Sequence, residues 1–245
     1  MHRRRFLAAL PFVAAGTALA QSRAANPNLN RPDVRAGDRV DGATFASRSA
    51  VWGVHGAAAT SHPLATLAAI DTLQAGGSAV DAAITANSCL GFLEPTANGI
   101  GGDCFAMLWD TKERKVVGLN GSGHSPANLT LATARQRAKS GMLPGLGAIS
   151  VSVPGAVDAW WQLHQRYGKL PWKSLFAPVI GYATEGAPVA QTVAYYLDAS
   201  FKKFTKPEAG VEETENFRKI WAPHGKMPRE GEIFRNPALA HTLQL

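Results

Sequence analysis

Two short glycine-rich segments contain the residues best suited to chemistry. The first, residues 99–105, reads Gly-Ile-Gly-Gly-Asp-Cys-Phe, and the second, residues 120–126, reads Asn-Gly-Ser-Gly-His-Ser-Pro. Glycine is tolerated where the backbone takes positive φ or closely approaches another group. The first segment therefore predicts a tight backbone crossing or a ligand cradle. Its carboxylate, Asp103, is unusual in a glycine loop unless it has a hydrogen-bonding task.

Common catalytic motifs do not fit these segments. A dinucleotide fingerprint needs glycine at position 104 and opens a helix, whereas Cys104 leads into an apolar, strand-like run. The sequence has no phosphate-loop Gly-Lys-Ser/Thr and no His-Glu-x-x-His. A nucleophile elbow around Ser122 would need glycines where Asn120 and His124 stand. These motifs therefore assign no reaction.

Two helices are predicted before the first glycine segment. Ser61 is placed to cap the first helix, and Pro63 suits its first turn. Residues 76–77, both glycine, end this helix, and residues 78–81 predict a capping box for a second helix that ends near Gly91. The expected apolar stripe of the first helix is Leu64, Leu67, Ile70 and Leu73.

Strands are predicted around the second glycine segment. The apolar runs 105–109 and 116–119 flank a polar turn and predict an antiparallel hairpin. Residues 52–60 are interpreted as a buried strand and 148–153 as a third apolar run. Helical patterns cover residues 156–167, 172–185 and much of the chain from 189 onward. This order predicts an α+β architecture with helices packed on a sheet.

Composition excludes several classes of protein. The chain has 245 residues, of which 46% are hydrophobic and 18% charged, as in a globular protein with a large core. The net charge of +7 includes Arg3–Arg5, and the later group Lys202, Lys203 and Lys206 is too small for a nucleic-acid site. Cys89 and Cys104 are expected to be small buried residues, although a disulfide stays open. We expect no cofactor and no metal site.

The first residues are typical of an export signal. Residues 1–20 contain Arg-Arg-x-Phe-Leu, an apolar stretch and Ala-Leu-Ala before Gln21. This arrangement resembles a twin-arginine signal, and a general secretory signal is the alternative. Residues 21–48 are expected to form a flexible leader, and 49–245 the folded portion. The predicted location is periplasmic or extracellular, with no stable membrane span after signal removal.

Several segments, in order, carry a family resemblance. They are Thr60–Ala65, Gly76–Ala83, Glu94–Pro95 with Gly99–Gly102, Val153–Gly155, Leu163–Trp172 and Asn236–Ala240. Over residues from about 50 to the end, the chain resembles the large-subunit side of the gamma-glutamyltranspeptidase (glutathione hydrolase) family.

The resemblance implies a fold and a reaction. The fold would be part of the αββα sandwich of N-terminal-nucleophile hydrolases, with a helix-rich C-terminal portion and without the small-subunit half. A self-cleaving precursor, a zymogen, exposes a threonine whose hydroxyl attacks an amide and whose own α-amine acts as base. That threonine lies well beyond position 245 in the family. We therefore expect a truncated chain with no catalytic residue of its own, and the small subunit of the same precursor as its partner.

The resemblance also places substrate contacts on the second glycine segment. Glutathione-cleaving members carry an arginine in Asp-x-Arg-Glu-x-Ala-Pro, where this chain has Ser122. One hydroxyl cannot replace a bidentate charge pair, and losing such a buried partner costs about 2–5 kcal/mol of binding. The expected donor is a small-molecule or peptide amide other than glutathione. The candidate substrate-binding residues are Ser122, His124, Asp103, Gly101 and Gly102.

Two alternatives remain at this point. The chain can be a non-catalytic relative that binds a partner through the surface its second half would cover. It can also be a stand-alone hydrolase that uses Ser122 as nucleophile.

Overall fold

A computed structural model describes residues 51–138 and 141–245. The predicted signal (1–20) and leader (21–48) lie outside these residues. Residues 54–245 form one compact unit. Its helices are α1 Pro63–Gln74, α2 Ala79–Leu93, α3 Leu131–Arg137, α4 Ala156–Tyr167, α5 Ala177–Glu185, α6 Gln191–Phe204, α7 Glu215–Trp221 and α8 Pro237–Gln244. Its strands are β1 Cys104–Asp110, β2 Lys115–Gly121, β3 Ala187–Pro188 and β4 Ile233–Phe234.

Helix α1 starts at a different cap from the predicted one. His62 is the N-cap, and its Nδ1 accepts a hydrogen bond from the Leu64 N–H at 3.2 Å. The prediction of Ser61 is wrong, because its hydroxyl donates instead to the Glu94 carboxylate at 2.5 Å. A charged acceptor makes that bond the stronger one. Pro63 occupies the first helical position as predicted.

The buried face of α1 also differs from the predicted leucine stripe. Leu67 is 51% exposed, and the buried residues of the helix are Ala65, Ala68, Ala69 and Thr72. Ala69 packs in one cluster with Ala82 and Ala86 of α2. Alanine faces allow two helix axes to approach closely. Close packing of the α1–α2 pair therefore leaves the larger leucines toward the edges of the contact.

Asp81 fixes the start of α2 and joins it to the chain after α4. The predicted capping box is present: Asp81 Oδ2 accepts the Ser78 N–H at 2.8 Å, and Ser78 Oγ accepts the Asp81 N–H at 3.0 Å. The same Oδ2 accepts the N–H groups of Lys169 and Leu170 at 2.9 and 3.2 Å. Asp81 is completely buried, so its carboxylate serves as a structural hub.

Strands β1 and β2 form the predicted antiparallel hairpin. The register runs from Cys104 opposite Gly121 to Asp110 opposite Lys115. Along β1 the side chains alternate between half-buried and exposed positions. The exposed face carries large apolar side chains, which are Phe105, Met107, Trp109 and, on β2, Val116. The described part of this sheet has two strands, and its outward face is apolar.

Two other strand predictions are wrong. Residues 51–60 contain no strand, and Val51, Trp52 and Val54 are 89–93% exposed. The run 148–153 forms a 3-10 turn, Ala148–Ser150, followed by extended backbone. A strand needs hydrogen bonds to the backbone of a neighbouring strand. Neither segment is paired with a strand of the two described sheets.

The helical second half closes the core as the pattern predicted, with two changes. Ala187–Pro188 and Ile233–Phe234 form a short antiparallel strand pair that the pattern did not predict. Trp172–Phe176 is a 3-10 turn that precedes α5. Phe234 stacks between Phe92 of α2 and Trp221 of α7, with centroids 5.7 and 4.9 Å apart. Cys89 is buried and Cys104 half-buried, and both are free thiols. Within the described ranges, no helix is long and apolar enough to cross a bilayer.

Candidate functional site

Three backbone segments cross where the hairpin meets helix α4. The Gly102 carbonyl accepts the N–H groups of Gly155 and Ala156 at 3.1 and 3.0 Å, so it caps the start of α4. The Val153 N–H donates to the His124 carbonyl at 2.9 Å. Residues 99–103, 120–124 and 152–155 are therefore tied together by their main chains, and this arrangement is called the loop crossing below.

The glycines that make the crossing possible are not the two that were predicted to bind substrate, Gly101 and Gly102. A Cβ on Gly123 would overlap the Val153 carbonyl, and one on Gly155 would overlap the Gly121 carbonyl. An added Cβ on Gly101 would have no atom within 4 Å. Gly101 is exposed. The close approach therefore depends on Gly121, Gly123 and Gly155, whereas Gly102 contributes its carbonyl.

Asp103 joins all three segments of the loop crossing. Its Oδ1 accepts the Gly123 N–H and the Ser152 hydroxyl, each at 3.1 Å. Its Oδ2 makes no hydrogen bond to the described residues and the side chain is exposed. One carboxylate oxygen therefore holds the loops while the other is open to a ligand.

Ser122 is engaged within its own loop. Its N–H and its hydroxyl both donate to Asn120 Oδ1, at 2.9 and 2.8 Å. An amide oxygen cannot remove a proton, whereas an activated hydroxyl needs an adjacent base. This geometry gives no support to Ser122 as the nucleophile of a stand-alone hydrolase.

His124 keeps its side chain free although its backbone is fixed. The imidazole is exposed and makes no hydrogen bond to residues 51–138 or 141–245. Among the polar side chains of residues 120–124 it is the one not already bonded inside the loop. We regard it, together with Asp103 Oδ2, as the part of the site that is open to a ligand.

The loop crossing carries a single formal charge. Among residues 99–103, 120–124 and 152–155, Asp103 is the only aspartate, glutamate, lysine or arginine. A ligand carboxylate would therefore meet repulsion here, and a neutral or cationic group would not.

Cys104, the neighbour of Asp103, lies against Trp160 on the inner side of the hairpin. Burial raises the pKa of its thiol, and the Trp160 side chain partly opposes this. Trp160 Nε1 donates to Asn87 Oδ1 at 2.9 Å. A thiol with a raised pKa is a poor nucleophile at neutral pH, so Cys104 has a packing role.

Ser152 and Gly155 are the residues of the loop crossing that sequence reasoning missed. The run Val-Pro-Gly at 153–155 contributes to the family resemblance and contains no predicted site residue. A signal was present, because a glycine directly before helix 156–167 indicates a tight approach of the backbone. What that glycine approaches is set by tertiary contacts. In the described part of the chain, no three His, Cys, Asp or Glu side chains are grouped to hold a metal.

Comparison with known proteins gives a consistent result. A family model described as gamma-glutamyltranspeptidase matches residues 65–245. Glutathione hydrolase proenzyme 1 of Schizosaccharomyces pombe is 33% identical over 204 residues, which are 80% of this chain and 30% of that protein. Oxamate amidohydrolase proenzyme of Klebsiella pneumoniae is 32% identical over 78% of this chain and 35% of its own length.

A solved structure is similar over the same region. The crystal structure of cephalosporin acylase from Bacillus halodurans superimposes with a TM-score of 0.75 at 42% identity, covering 83% of this chain and 38% of that one. The chain thus spans about a third of the length of the curated relatives it matches.

Proposed function

The chain belongs to the gamma-glutamyltranspeptidase family, and we propose that it is the N-terminal, large-subunit portion of an exported amidase or acyltransferase. Its partner in this proposal is a small subunit from the same precursor, which carries the threonine nucleophile. The proenzyme names of two relatives support this division.

One observation carries the proposal. The hairpin beside the loop crossing exposes Phe105, Met107 and Trp109, at 68, 80 and 58% of their surfaces. Contiguous apolar patches of this kind mark surfaces that another polypeptide covers. A polar ligand site next to an uncovered sheet face is what a large subunit would present to the half that completes its sandwich.

The proposed reaction is acyl transfer through an ester. The threonine hydroxyl attacks the donor amide carbonyl, its proton passes through the threonine α-amine to the leaving nitrogen, and the C–N bond breaks. The acyl group then moves to water or to an acceptor amine, and the hydroxyl is restored. The residues of this chain bind and orient the donor, through Asp103 and His124 above all, with Gly102 and Ser122 shaping the loops and Gly101 exposed beside them.

We propose that the donor amide carries no carboxylate on the part that contacts the loop crossing. Ser122 stands in place of the family's arginine and its hydroxyl is already bonded to Asn120. Asp103 adds negative charge beside it. The printed names of the relatives, which include an oxamate amidohydrolase and a cephalosporin acylase, support a family in which donors vary widely.

The second candidate is a non-catalytic relative. The exposed face of the hairpin can also dock a polypeptide that carries no nucleophile, and the proenzyme names of the relatives are what favour the first candidate. Export is proposed from the signal-like residues 1–20, and it is expected for both candidates.

Co-expression tests the proposal. The chain would be produced with the polypeptide encoded directly downstream, and hydrolysis of a gamma-glutamyl anilide, an oxamate and an aryl acetamide would be measured. We expect turnover only by the complex, with the aryl acetamide, the one of these donors without a carboxylate, favoured at least tenfold over the other two. Asp103→Asn keeps an acceptor for both hydrogen bonds and removes the negative charge. This variant should reduce the ratio of turnover between donors without and with a carboxylate.

The control separates the two candidates. Replacing by alanine the downstream threonine that self-cleavage would expose should abolish turnover and leave the complex intact. A complex without turnover of any amide would support the non-catalytic relative. Turnover by the chain alone, abolished by Ser122→Ala, would contradict the proposal.

A further inference from the structure

A groove of about 530 Å³ lies beside the loop crossing, outside the candidate substrate-binding residues. Its volume is in the range of small-molecule sites. Its walls are mainly apolar and are formed by Pro126, Leu146, Val151, Val153, Phe204 and Val211. Its polar lining residues include Ser152, Glu212 and Glu213.

The groove is continuous with the candidate site. Ser152 lines the groove and also donates its hydroxyl to Asp103 Oδ1 at 3.1 Å. Val153 lines it and binds the His124 carbonyl through its N–H. A ligand with one end at the loop crossing can therefore extend its other end along these two residues into the groove.

The charges on the groove are negative. Glu212 Oε2 accepts the Ala148 N–H at 2.8 Å, which lowers the pKa of Glu212, with a smaller contribution from Arg137. Glu213 is the second carboxylate on the lining. Among the described residues that line the groove there is no lysine or arginine. Those nearby, Arg137, Lys203 and Lys206, line an adjoining cavity that shares Glu212.

We propose that this groove binds a primary amine that carries an aryl or alkyl group. The apolar walls suit the hydrocarbon part, and the carboxylates of Glu212 and Glu213 suit the ammonium. The biological assignment rests on the proposed function, in which an amine is the group that leaves the donor amide or the acceptor that takes the acyl group. The binding itself requires no turnover.

Binding of matched probes tests the inference. The full chain would be titrated with 4-phenylbutylamine and with 4-phenylbutyrate, which has a similar apolar part and the opposite charge, by calorimetry or ligand-observed NMR. We expect the amine to bind at least tenfold more tightly than the acid. Glu213→Gln should reduce that ratio at least threefold, whereas Glu230→Gln, at an exposed position not lining the groove, should leave it unchanged.

A second pair of variants locates the site. Val151→Lys places a cation in the groove and should weaken the binding of 4-phenylbutylamine at least fivefold. Val116 is exposed to a similar degree, 58% against 56% for Val151, and Val116→Lys should leave that binding unchanged. Equal binding of acid and amine, or equal effects of the two lysine variants, would overturn the inference. Loss of probe binding in the co-expressed complex would also overturn it, because the downstream polypeptide would then fill the groove.

Failure of the groove as an amine site is distinguishable from failure of the proposed function. A complex that hydrolyses no amide while the chain binds phenylbutylamine with the expected pattern would reject the reaction and keep the groove. Amide turnover by the complex without selective amine binding would keep the reaction and reject the groove as an amine site. Phenylbutylamine added as acceptor separates the two sources of the amine, since acyl transfer to it should exceed transfer to water only if the groove serves acceptors.

Discussion

At the scale of single residues, Asp103 and Ser122 show how hydrogen bonds assign roles. Both are polar residues beside glycines, yet Ser122 is satisfied by Asn120 within its own loop. Asp103 reaches two other segments through one oxygen and leaves its second oxygen open. Position in a glycine-rich segment therefore predicts a candidate site, whereas the remaining unpaired atoms decide which of its residues a ligand can contact.

The glycines of the loop crossing give a direct test at this scale. Gly123→Ala should lower the free energy of unfolding by at least about 2 kcal/mol, because the new Cβ overlaps the Val153 carbonyl and the backbone must shift. Gly101→Ala should change it by less than about 1 kcal/mol, in the stabilising direction, since its surroundings are open. Urea denaturation of both variants measures the difference. Equal effects would contradict the described packing of the loops.

At the scale of elements, the hairpin is attached to helix α4 at both ends. The loop crossing holds its open end. At the turn, Asp110 Oδ1 accepts the N–H groups of Lys112 and Glu113, and Oδ2 accepts the Tyr167 hydroxyl at 3.1 Å. Two attachments fix the orientation of the strands on the helix, which keeps the loop crossing in register with the start of α4.

The turn attachment should make stability depend on acidity. The Glu113 N–H lowers the pKa of Asp110 most, followed by Tyr167, Lys112 and Arg166, with burial opposing them. A carboxyl whose pKa is lower when folded stabilises the protein above its unfolded pKa, and this contribution is lost as the pH falls through the folded value. Below about pH 4, where a free aspartate protonates, the wild type should therefore lose stability faster than Asp110→Asn. Unfolding free energies measured from pH 7 to pH 2.5 check this, and parallel curves for the two proteins would contradict it.

At the scale of the whole molecule, the interior and the hairpin face are organised differently. Helices α2, α4, α5 and α8 share one core in which Leu175 and Val179 are fully buried. The outward face of the hairpin has no such cover within the part of the chain that the structure describes. The unit 54–245 therefore combines a closed helical core with an open sheet surface.

The open surface should be detectable in solution. The chain alone is expected to bind an apolar dye and to associate at high concentration, because Phe105, Met107 and Trp109 are exposed. Met107→Lys should reduce the dye signal clearly, whereas Tyr195→Lys, at an exposed aromatic residue of α6, should change it little. A monomer that binds no dye would contradict an uncovered sheet face.

Local signals allowed several elements to be predicted from the sequence. The capping box at residues 78–81, the hairpin after the first glycine segment and helix 156–167 depend on residues close together in the chain, and all three are confirmed. The cap of α1 and the strand at 52–60 were predicted wrongly. Each depends on residues remote in the chain. The Ser61 hydroxyl is bound by Glu94 instead of capping the helix, and residues 52–60 would need a neighbouring strand that the described sheets do not pair with them.

By itself the sequence determined the family, helices α1, α2 and α4, the β1–β2 hairpin, and the two glycine segments in which a ligand site was to be sought. Only the tertiary structure decided that Gly121, Gly123 and Gly155 make the crossing, that Ser152 joins Asp103, and that Ser122 is already bonded. The physical reason is that helix caps and turns are set by neighbours in the chain, whereas the contacts of a loop crossing join residues 20 to 50 positions apart.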